Sequence, residues 1–261
     1  MIAPEPAGPG PLHALDPASR ARMMSRIYAG LSAEDMLREA LTGDLKGRVA
    51  LVSSFGAESA ALLHMVAEID RATPVIFLET GMLFAETLDY QRRLAADLGL
   101  KDLRILRPDA DALAAGDPDG ALHARDPDAC CTLRKVAPLA AGLKGFDGWI
   151  TGRKRYQGGA RAALPLFETD EAGRLKLNPL ADWDPARVRD YMRAHRLPPH
   201  PLVAKGFPSI GCAPCTTPVA EGEDPRAGRW RGEAKTECGI HFVDGKLVRG
   251  PAPQAEAPSP A

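Results

Sequence analysis

Short apolar runs alternate with longer amphipathic stretches along the first 150 residues. Apolar residues recur every three or four positions over 59–69 and over 84–98, which indicates two helices that each bury one face. Short runs rich in branched aliphatic residues lie before, between and after them, which is typical of strands buried on both faces. The predicted strands are 49–53, 75–78, 103–106 and 149–151.

Strands that alternate with helices of this length predict an α/β fold, in which a parallel sheet carries helices on both faces. Ligands of such sheets bind beyond the carboxyl ends of the strands. Three segments that end or follow predicted strands, 53–59, 78–81 and 151–161, are therefore expected to line one crevice.

The pattern changes beyond residue 160. Residues 164–167 and 175–178 predict a hairpin, and Asp184-Pro185 predicts the start of a helix that runs to about residue 195. Proline and glycine dominate 197–218, which predicts a loop.

Four regions are predicted along the chain. The two ends are rich in proline and glycine and lack an apolar period, which is typical of disordered tails. The α/β domain lies between them and is followed by a mobile segment. The predicted bounds are 1–17 for the first tail, 18–219 for the domain, 220–249 for the mobile segment and 250–261 for the second tail.

Composition narrows the classes of partner. The 261 residues contain 33 Lys+Arg and 34 Asp+Glu, a formal charge of −1, so no broad basic surface for nucleic acid is expected. No apolar run reaches the ~18 residues that a membrane span needs. The first residues lack the cationic and apolar regions of a signal peptide, so a cytoplasmic protein is expected.

The segment 53–59, Ser-Ser-Phe-Gly-Ala-Glu-Ser, joins a predicted strand to a predicted helix. Its small residues would let backbone N–H groups approach an anion at the helix N-terminus. The Walker and dinucleotide-binding glycine patterns are both absent. By itself the loop is equally consistent with a tight strand-to-helix turn.

A second candidate anion site is the basic segment 152–161, which carries four cations in an otherwise neutral protein. A solvated basic face is the simpler interpretation. Its position after a predicted strand favours the binding of a phosphate or sulfate group.

Five cysteines carry the most specific chemistry. An odd number without a secretion signal argues against a disulfide framework and for metal or redox chemistry. The pair Cys212–Cys215 has C-x-x-C spacing, whereas Cys130 and Cys131 are adjacent. Adjacent ligands are awkward around one small ion, so the spacing favours a 4Fe–4S cluster over tetrahedral zinc; zinc and plain buried thiols remain alternatives.

The fifth cysteine, Cys238, lies between Lys235 and His241, each three residues away. In a helical turn both cations would lie near the sulfur and lower the pKa of the thiol, which favours a nucleophile. The arginines at 226, 229 and 231 would hold an anionic substrate nearby. An inert thiol is the alternative interpretation.

Taken together, these motifs resemble the assimilatory sulfonucleotide reductases, in particular the bacterial adenylyl-sulfate reductases. The resemblance covers roughly residues 45–245, with two departures: Glu79 replaces the usual Asp before Thr-Gly, and Gly158 follows Gln157 where Ser is common. The matching motifs are Cys-Cys-x-x-Arg-Lys-Val-x-Pro-Leu at 130–139, Cys-x-x-Cys at 212–215, Glu-Cys-Gly-Ile-His at 237–241, and the segments 54–59 and 221–230.

The resemblance implies a modified PP-loop fold, similar to adenine nucleotide hydrolases, and a 4Fe–4S cluster. It implies reduction of adenylyl sulfate to sulfite and AMP in sulfate assimilation and cysteine biosynthesis. Cys238 would attack the sulfate sulfur and become a thiosulfonate, with His241 as a further catalytic residue. Lys135 would lie between cluster and substrate. The implied cluster ligands are Cys130, Cys131, Cys212 and Cys215.

The resemblance also implies where the nucleotide binds. It would lie on the first loop and on the end of the second strand, with arginines balancing its phosphosulfate group. The implied substrate-binding residues are Ser53, Ser54, Phe55, Gly56, Glu58, Ser59, Leu78, Thr80, Gly81, Gly152, Arg153, Gln157, Arg226 and Arg229.

A partner follows from the cysteine count. A thiosulfonate needs another thiol to release sulfite, and four cysteines held by a cluster leave none in the chain. A thioredoxin or a similar dithiol protein is therefore expected, and with it an exposed, mobile Cys238. A homo-oligomer is compatible with the sequence.

The sequence leaves three alternative functions open. A phosphoadenylyl-sulfate reductase would act on the substrate with a 3′-phosphate. An ATP-using PP-loop enzyme is disfavoured because Phe55 and Ala57 interrupt its Ser-Gly-Gly-x-Asp-Ser loop. A non-enzymatic iron–sulfur redox sensor would need no role for Cys238.

Overall fold

The computed structural model describes residues 15–43, 45–233, 235 and 237–241. Its centre is a six-stranded sheet whose strands are β1 Val49–Ser53, β2 Val75–Leu78, β3 Leu103–Leu106, β4 Gly148–Ile150, β5 Phe167–Thr169 and β6 Leu175–Leu177. They lie in the order β3-β2-β1-β4-β6-β5, and every neighbouring pair is parallel except β5 and β6. The predicted α/β fold is confirmed, and the predicted hairpin is the antiparallel β5–β6 pair.

Nine α-helices are described in these parts of the chain. They are α1 Pro17–Ile27, α2 Ala33–Thr42, α3 Ser59–Ile69, α4 Ala85–Asp97, α5 Ala110–Gly116, α6 Leu122–Arg125, α7 Pro127–Cys131, α8 Ala137–Gly142 and α9 Pro185–Ala194. The helices α3, α4 and α9 confirm the apolar periods and the Asp-Pro start seen in the sequence. None of the described helices combines the length and apolar character that a bilayer span requires.

The first helix corrects the bound of the predicted tail. Asp16 accepts a hydrogen bond from the backbone N–H of Ser19 at 2.9 Å, and Pro17 occupies the first helical turn. This combination of cap and proline starts a helix wherever an apolar face is available to bury it. The ordered chain therefore reaches into the region 1–17, of which residues 1–14 lie outside the described residues.

The sheet buries both of its faces because successive side chains of a strand point to opposite sides. On one side Leu51 and Phe77 pack against α2, α3 and α9 in the larger core. On the other side Ala50 and Ile76 pack with Leu139 of α8 in a smaller core. Burial of both faces of the sheet thus explains why the strands are continuous apolar runs and why helices cover both sides.

The chain after α9 returns to the sheet. Residues 212–230 form a compact loop in which Thr216 and Arg229 make a β-bridge, and the N–H of Trp230 donates to the carbonyl of Cys215 at 3.1 Å. The described part of the predicted mobile segment is thereby packed on the C-x-x-C turn. Residues 242–249 and the predicted tail 250–261 lie outside the described residues.

Candidate active site

A cavity of about 230 Å³ opens at the carboxyl ends of β1, β2 and β4. Its walls come from five segments of the described chain. These include the three segments, 53–59, 78–81 and 151–161, that were predicted from the sequence to line one crevice. Of the fourteen predicted substrate-binding residues, twelve line the cavity. The five wall segments are 51–63, 78–87, 151–161, 208–212 and 226–240, with Lys135 between them.

The two exceptions are Phe55 and Gly81. The ring of Phe55 is fully buried and packs edge-on against Phe77, with 5.3 Å between ring centroids, so it belongs to the core. Gly81 lies beside the cavity with φ +73°, next to the guanidinium of Arg134. Both shape the loops that carry neighbouring wall residues.

The loop after β1 is a tight turn held by hydrogen bonds from its own N–H groups to its own serine side chains. Ser53 Oγ accepts from the N–H of Phe55 at 3.2 Å, and Ser59 Oγ accepts from the N–H of Gly56 at 2.9 Å. Phe55 holds φ +48°, a left-handed conformation that is rare for a bulky residue and is typical of functional turns. The loop then enters α3, whose N-terminus favours negative charge.

The basic segment after β4 lies mostly inside the protein. The side chains of Arg153, Lys154 and Arg161 are buried, which excludes the solvated-face interpretation for these three. Lys154 Nζ donates to Glu58 Oε2 at 2.9 Å and to the carbonyl of Gly152 at 3.0 Å. Arg155 differs from them, since it pairs with Asp182 away from the cavity.

Positive charge exceeds negative charge around the cavity. Burial, together with repulsion from Arg161, lowers the pKa of Arg153 to about 9 and that of Arg226 to about 10. An anion in the cavity would relieve this repulsion, so the geometry favours an anionic ligand. The described walls hold two carboxylates, Glu58 and Glu237, against six cations: Lys135, Arg153, Lys154, Arg161, Arg226 and Arg229.

The adjacent cysteines lie at the end of α7, and a π-helical turn, Thr132–Val136, follows them. Wider turns of this kind insert a residue into a helix and are frequent at functional sites. Here the turn directs Lys135 back toward α7, and its Nζ lies 3.8 Å from the sulfur of Cys131. Burial opposes the charge of Lys135, but the neighbouring cysteine sulfurs, Cys238 first among them, raise its pKa.

The C-x-x-C pair lies on a 3₁₀ turn, Ala213–Cys215, held beside the end of β2. The N–H of Ala213 donates to the carbonyl of Met82 at 2.8 Å, and Thr80 Oγ1 lies 3.3 Å from the sulfur of Cys212. Burial raises the pKa of the Cys130 thiol, and the charges of Cys212 and Cys215 add to that rise. Thr80 connects the two cysteine-bearing turns, because its carbonyl accepts from Arg134 of the π-helical turn at 2.8 Å while its hydroxyl lies beside Cys212.

Cys238 is half-buried at the cavity wall, which corrects the expectation of an exposed position. A hydrogen bond from Cys131 and the charge of Lys135 together lower the pKa of its thiol, outweighing burial. The Nζ of Lys235 donates to Asp128 Oδ1 at 2.5 Å, and its charge acts on both Cys131 and Cys238. The side chain of His241 lies outside the described residues.

Comparison with known proteins identifies the family. The profile of the phosphoadenosine phosphosulfate reductase domain matches residues 48–218. The chain belongs to this family. It is 53% identical over 225 residues to the adenosine 5′-phosphosulfate reductase of Mesorhizobium japonicum, covering 86% of this chain and 88% of that one. The phosphoadenosine 5′-phosphosulfate reductase of Gloeobacter violaceus is 42% identical, over 84% and 92%.

Solved structures agree with this family. A phosphoadenylyl-sulfate reductase from Candida auris, solved as a phosphate complex, superposes with TM-score 0.67 at 27% identity over 76% of this chain and 97% of that one. The FMN adenylyltransferase of Candida glabrata shares the fold alone, with TM-score 0.52 at 14% identity over 80% and 77%. The resemblance to sulfonucleotide reductases and the PP-loop type of fold are thus confirmed, and the chain is an oxidoreductase of this family.

The motifs of the sequence imply an iron–sulfur cluster, and the cysteine sulfurs present are of the kind that would hold one. All five cysteines are free, Cys130, Cys131 and Cys212 are buried, and Lys135 supplies a cation beside them. Buried thiols need a metal or a nearby cation to hold them as thiolates. Across the described residues, no group of three or more cysteine, histidine or acidic side chains is placed around one ion.

Several residues in or beside the reductase's cavity carry no sequence signal that marks them as site residues. Arg161 and Lys154 were visible only as members of a basic segment, and Tyr156 donates to Glu58 at 2.5 Å. At Gly211 a Cβ would lie 2.2 Å from the guanidinium of Arg229, so any side chain there would have to displace that guanidinium. No spacing signal identifies these residues, since each depends on a contact between distant segments.

Proposed function

We propose that this reductase converts adenylyl sulfate to sulfite and AMP through a thiosulfonate on Cys238, with electrons from a thioredoxin-like dithiol. The observation that carries the proposal is the position of Cys238. Its half-buried thiol lies in the wall of a cavity that Lys135 and the arginines also line, which makes the cavity suitable for an anionic nucleotide. The names of the relatives support the choice of substrate.

The proposed first step is a displacement at sulfur. The Cys238 thiolate attacks the sulfate sulfur, a C–S–SO₃⁻ linkage forms, and the bond from sulfur to the phosphate oxygen breaks, so that AMP leaves with the electron pair. The cations Lys135, Arg226 and Arg229 line the same cavity and would balance the charge of the phosphosulfate group. The β1 loop would place the nucleotide at the N-terminus of α3, where the helix dipole favours negative charge.

The second step supplies two electrons. A dithiol protein attacks the sulfur of Cys238 and releases sulfite, which leaves a mixed disulfide; its second thiol then restores Cys238 and forms a disulfide in the partner. Sulfur passes from the sulfate to the sulfite level, and two thiols become one disulfide. The proposed cluster ligands Cys130, Cys131, Cys212 and Cys215 take no part as thiols.

A 4Fe–4S cluster on those four cysteines would supply a charged centre that polarises the sulfate-binding side chains. Lys135 links the two regions, because its amine is within 3.8 Å of Cys131 and its side chain lines the cavity. The five free cysteines also support a cytoplasmic location, where thiols stay reduced.

The test is anaerobic purification followed by iron, sulfide and zinc analysis and by incubation with adenylyl sulfate in the absence of dithiol. Intact mass should show one added SO₃, on the peptide that contains Cys238, with release of AMP. The variant Cys238→Ser should lose the adduct and sulfite formation and keep its iron. Sulfite formation that survives this substitution would contradict the mechanism, whereas a wild-type protein that contains iron but forms neither adduct nor sulfite would favour a redox sensor.

Phosphoadenylyl sulfate is the second candidate substrate. It is supported by the 42% identical relative from Gloeobacter violaceus and by the Candida auris structure, both named for that substrate. Rates of sulfite release from the two nucleotides, measured with the same dithiol, separate the candidates. We expect the larger kcat/KM with adenylyl sulfate.

A further inference from the structure

One carboxylate of the cavity wall is held in the way a ligand's anion would be held. Glu237 accepts from Arg161 through two hydrogen bonds, at 2.5 Å from Nε and 2.8 Å from Nη2. Arg226 Nη2 lies 3.8 Å from the same carboxylate, and the N–H of Cys238 donates to it at 2.9 Å. The side chains of Glu237 and Arg161 are each 11% exposed, so the pair is largely withdrawn from solvent.

These arginines require an anion. Arg161 and Arg226 repel each other in a buried setting, and this repulsion adds to burial in lowering the pKa of Arg226. Burial opposes the charge of Glu237, but Arg161 outweighs it and lowers the pKa of that carboxyl to about 2. Glu237 is therefore ionised at neutral pH and neutralises a cationic surface that faces the cavity.

A paired guanidinium fork accommodates one oxyanion at a time, because a carboxylate and a phosphate or sulfate use the same two parallel donors. Arg161 comes from the segment after β4, beside Arg153 and opposite the Ser53–Ser59 loop. Glu237 comes from the segment that carries Cys238. The fork thus links the nucleotide side of the cavity to the nucleophile.

We propose that Glu237 occupies an anion-binding site made by Arg161 and Arg226 while the cavity holds no substrate, and that the phosphosulfate group of the nucleotide displaces it. Displacement breaks the contact that docks the Cys238 turn and frees the thiol to approach first the sulfate sulfur and then the external dithiol. The proposal rests on the proposed function and adds Arg161 as a substrate-binding residue and Glu237 as its internal competitor.

The test measures docking and binding without turnover. Cys238 of the anaerobically purified holoenzyme is alkylated with iodoacetamide in the presence and absence of AMP, and the modified tryptic peptide 236–246, whose only cysteine is Cys238, is quantified. We expect AMP to accelerate alkylation of the wild-type enzyme. In Glu237→Gln, which keeps an oxygen acceptor for the Cys238 N–H, alkylation should already be fast and AMP should change it little.

Binding provides a second readout. Loss of the competing charge should lower the Kd of AMP about three- to tenfold in Glu237→Gln, a change of order 1 kcal/mol. The variant Glu237→Asp, which keeps the charge, should remain closer to wild type. Glu233→Gln is the matched control, because it removes the same charge from an exposed position of the same segment. Glu233 contacts neither arginine.

Sodium sulfate, compared with sodium chloride at equal ionic strength, probes the arginine site independently of the nucleotide. Sulfate should accelerate alkylation of the wild type and not of Glu237→Gln. Protection of Cys238 by AMP, or unchanged AMP affinity in Glu237→Gln, would overturn the proposal. An enzyme that shows this alkylation pattern and yet forms no sulfite from adenylyl sulfate would instead refute only the proposed function.

Discussion

Replacement of Arg134 by Met should destabilise this reductase by about 3–5 kcal/mol, because it removes the hydrogen-bonded charge partner of a buried carboxylate and leaves only Arg125, whose guanidinium lies 4.0 Å away. The side chains of Arg134 and Asp117 are 8% and 0% exposed, and Arg134 Nη2 lies 2.6 Å from Asp117 Oδ2. Arg134 also donates to the carbonyl of Thr80 at 2.8 Å, while Asp117 accepts from the N–H of Leu122. The pair therefore ties the π-helical turn to the end of β2.

The size of this predicted loss of stability follows from the burial of Asp117. A carboxylate with no exposed surface cannot recover hydration when its partner is removed, whereas a surface pair that is lost is rehydrated at once. Arg193 and Asp190 form such a surface pair, 77% and 69% exposed, so Arg193→Met should cost less than about 1 kcal/mol. The double variant Arg134→Met, Asp117→Asn should recover part of the loss, because it removes the buried charge together with its partner.

The assay is thermal unfolding of the anaerobically purified holoenzyme. Since about 1 kcal/mol corresponds to roughly 2–4 °C in a chain of this size, Arg134→Met should lower Tm by at least about 6 °C, and Arg193→Met by no more than about 4 °C. A double variant less stable than Arg134→Met would show that the charge pair does not cause the loss. Equal Tm changes in the buried and exposed variants would refute the reasoning about burial.

Three further outcomes are expected. The buried ring of His200 accepts a hydrogen bond from the N–H of Leu202, and burial lowers the pKa of this histidine from 6.5 to about 4. Between these pH values the unfolded chain binds a proton that the folded chain does not. The contribution of His200 to stability is therefore full above pH 6.5 and is lost as pH falls toward 4. Between pH 7 and pH 5 the wild-type Tm should thus fall by about 4–8 °C more than that of His200→Asn, and equal falls would contradict this. Gly211→Ala should displace the guanidinium of Arg229 and raise KM for the nucleotide with little change in Tm, as steady-state kinetics and unfolding would measure; a wild-type KM would exclude a role for that contact. Ser32→Ala should cost about 1 kcal/mol, or roughly 2–4 °C in Tm, since Ser32 caps α2 at the N–H of Asp35; an unchanged Tm would show that the cap is dispensable.

Much of the fold could be predicted from the sequence because burial imposes a period on it. The continuous apolar runs became β1 to β4, and the helical periods became α3 and α4 with bounds within one residue of those predicted. The helices α1 and α2 were missed, although Asp16 and Ser32 cap them. Their helical periods are too short to predict helices from the sequence, and packing of their apolar faces against the rest of the core is what stabilises them.

The candidate site likewise has a part that could be predicted from the sequence and a part that could not. Local spacing indicated Cys212 with Cys215, and Cys238 with its neighbours, because such motifs place donors within one turn of chain. The contacts of Cys238 with Cys131, and of Arg161 with Glu237, join residues 76 or more positions apart. The half-buried position of Cys238 also depended on a docking surface that a sequence motif does not describe.

Residue order alone therefore determined the kinds of chemistry present: a free thiol among cations, two sulfur pairs, and small residues at a strand end. Tertiary structure decided which charges meet, since parallel strands bring their carboxyl ends to one edge and collect loops from across the chain. Only that convergence gives Glu237 an arginine partner and gives Cys238 a place in the cavity wall. A sequence motif describes residues within one turn of the chain, whereas an ion pair depends on the distance between two atoms in the folded protein.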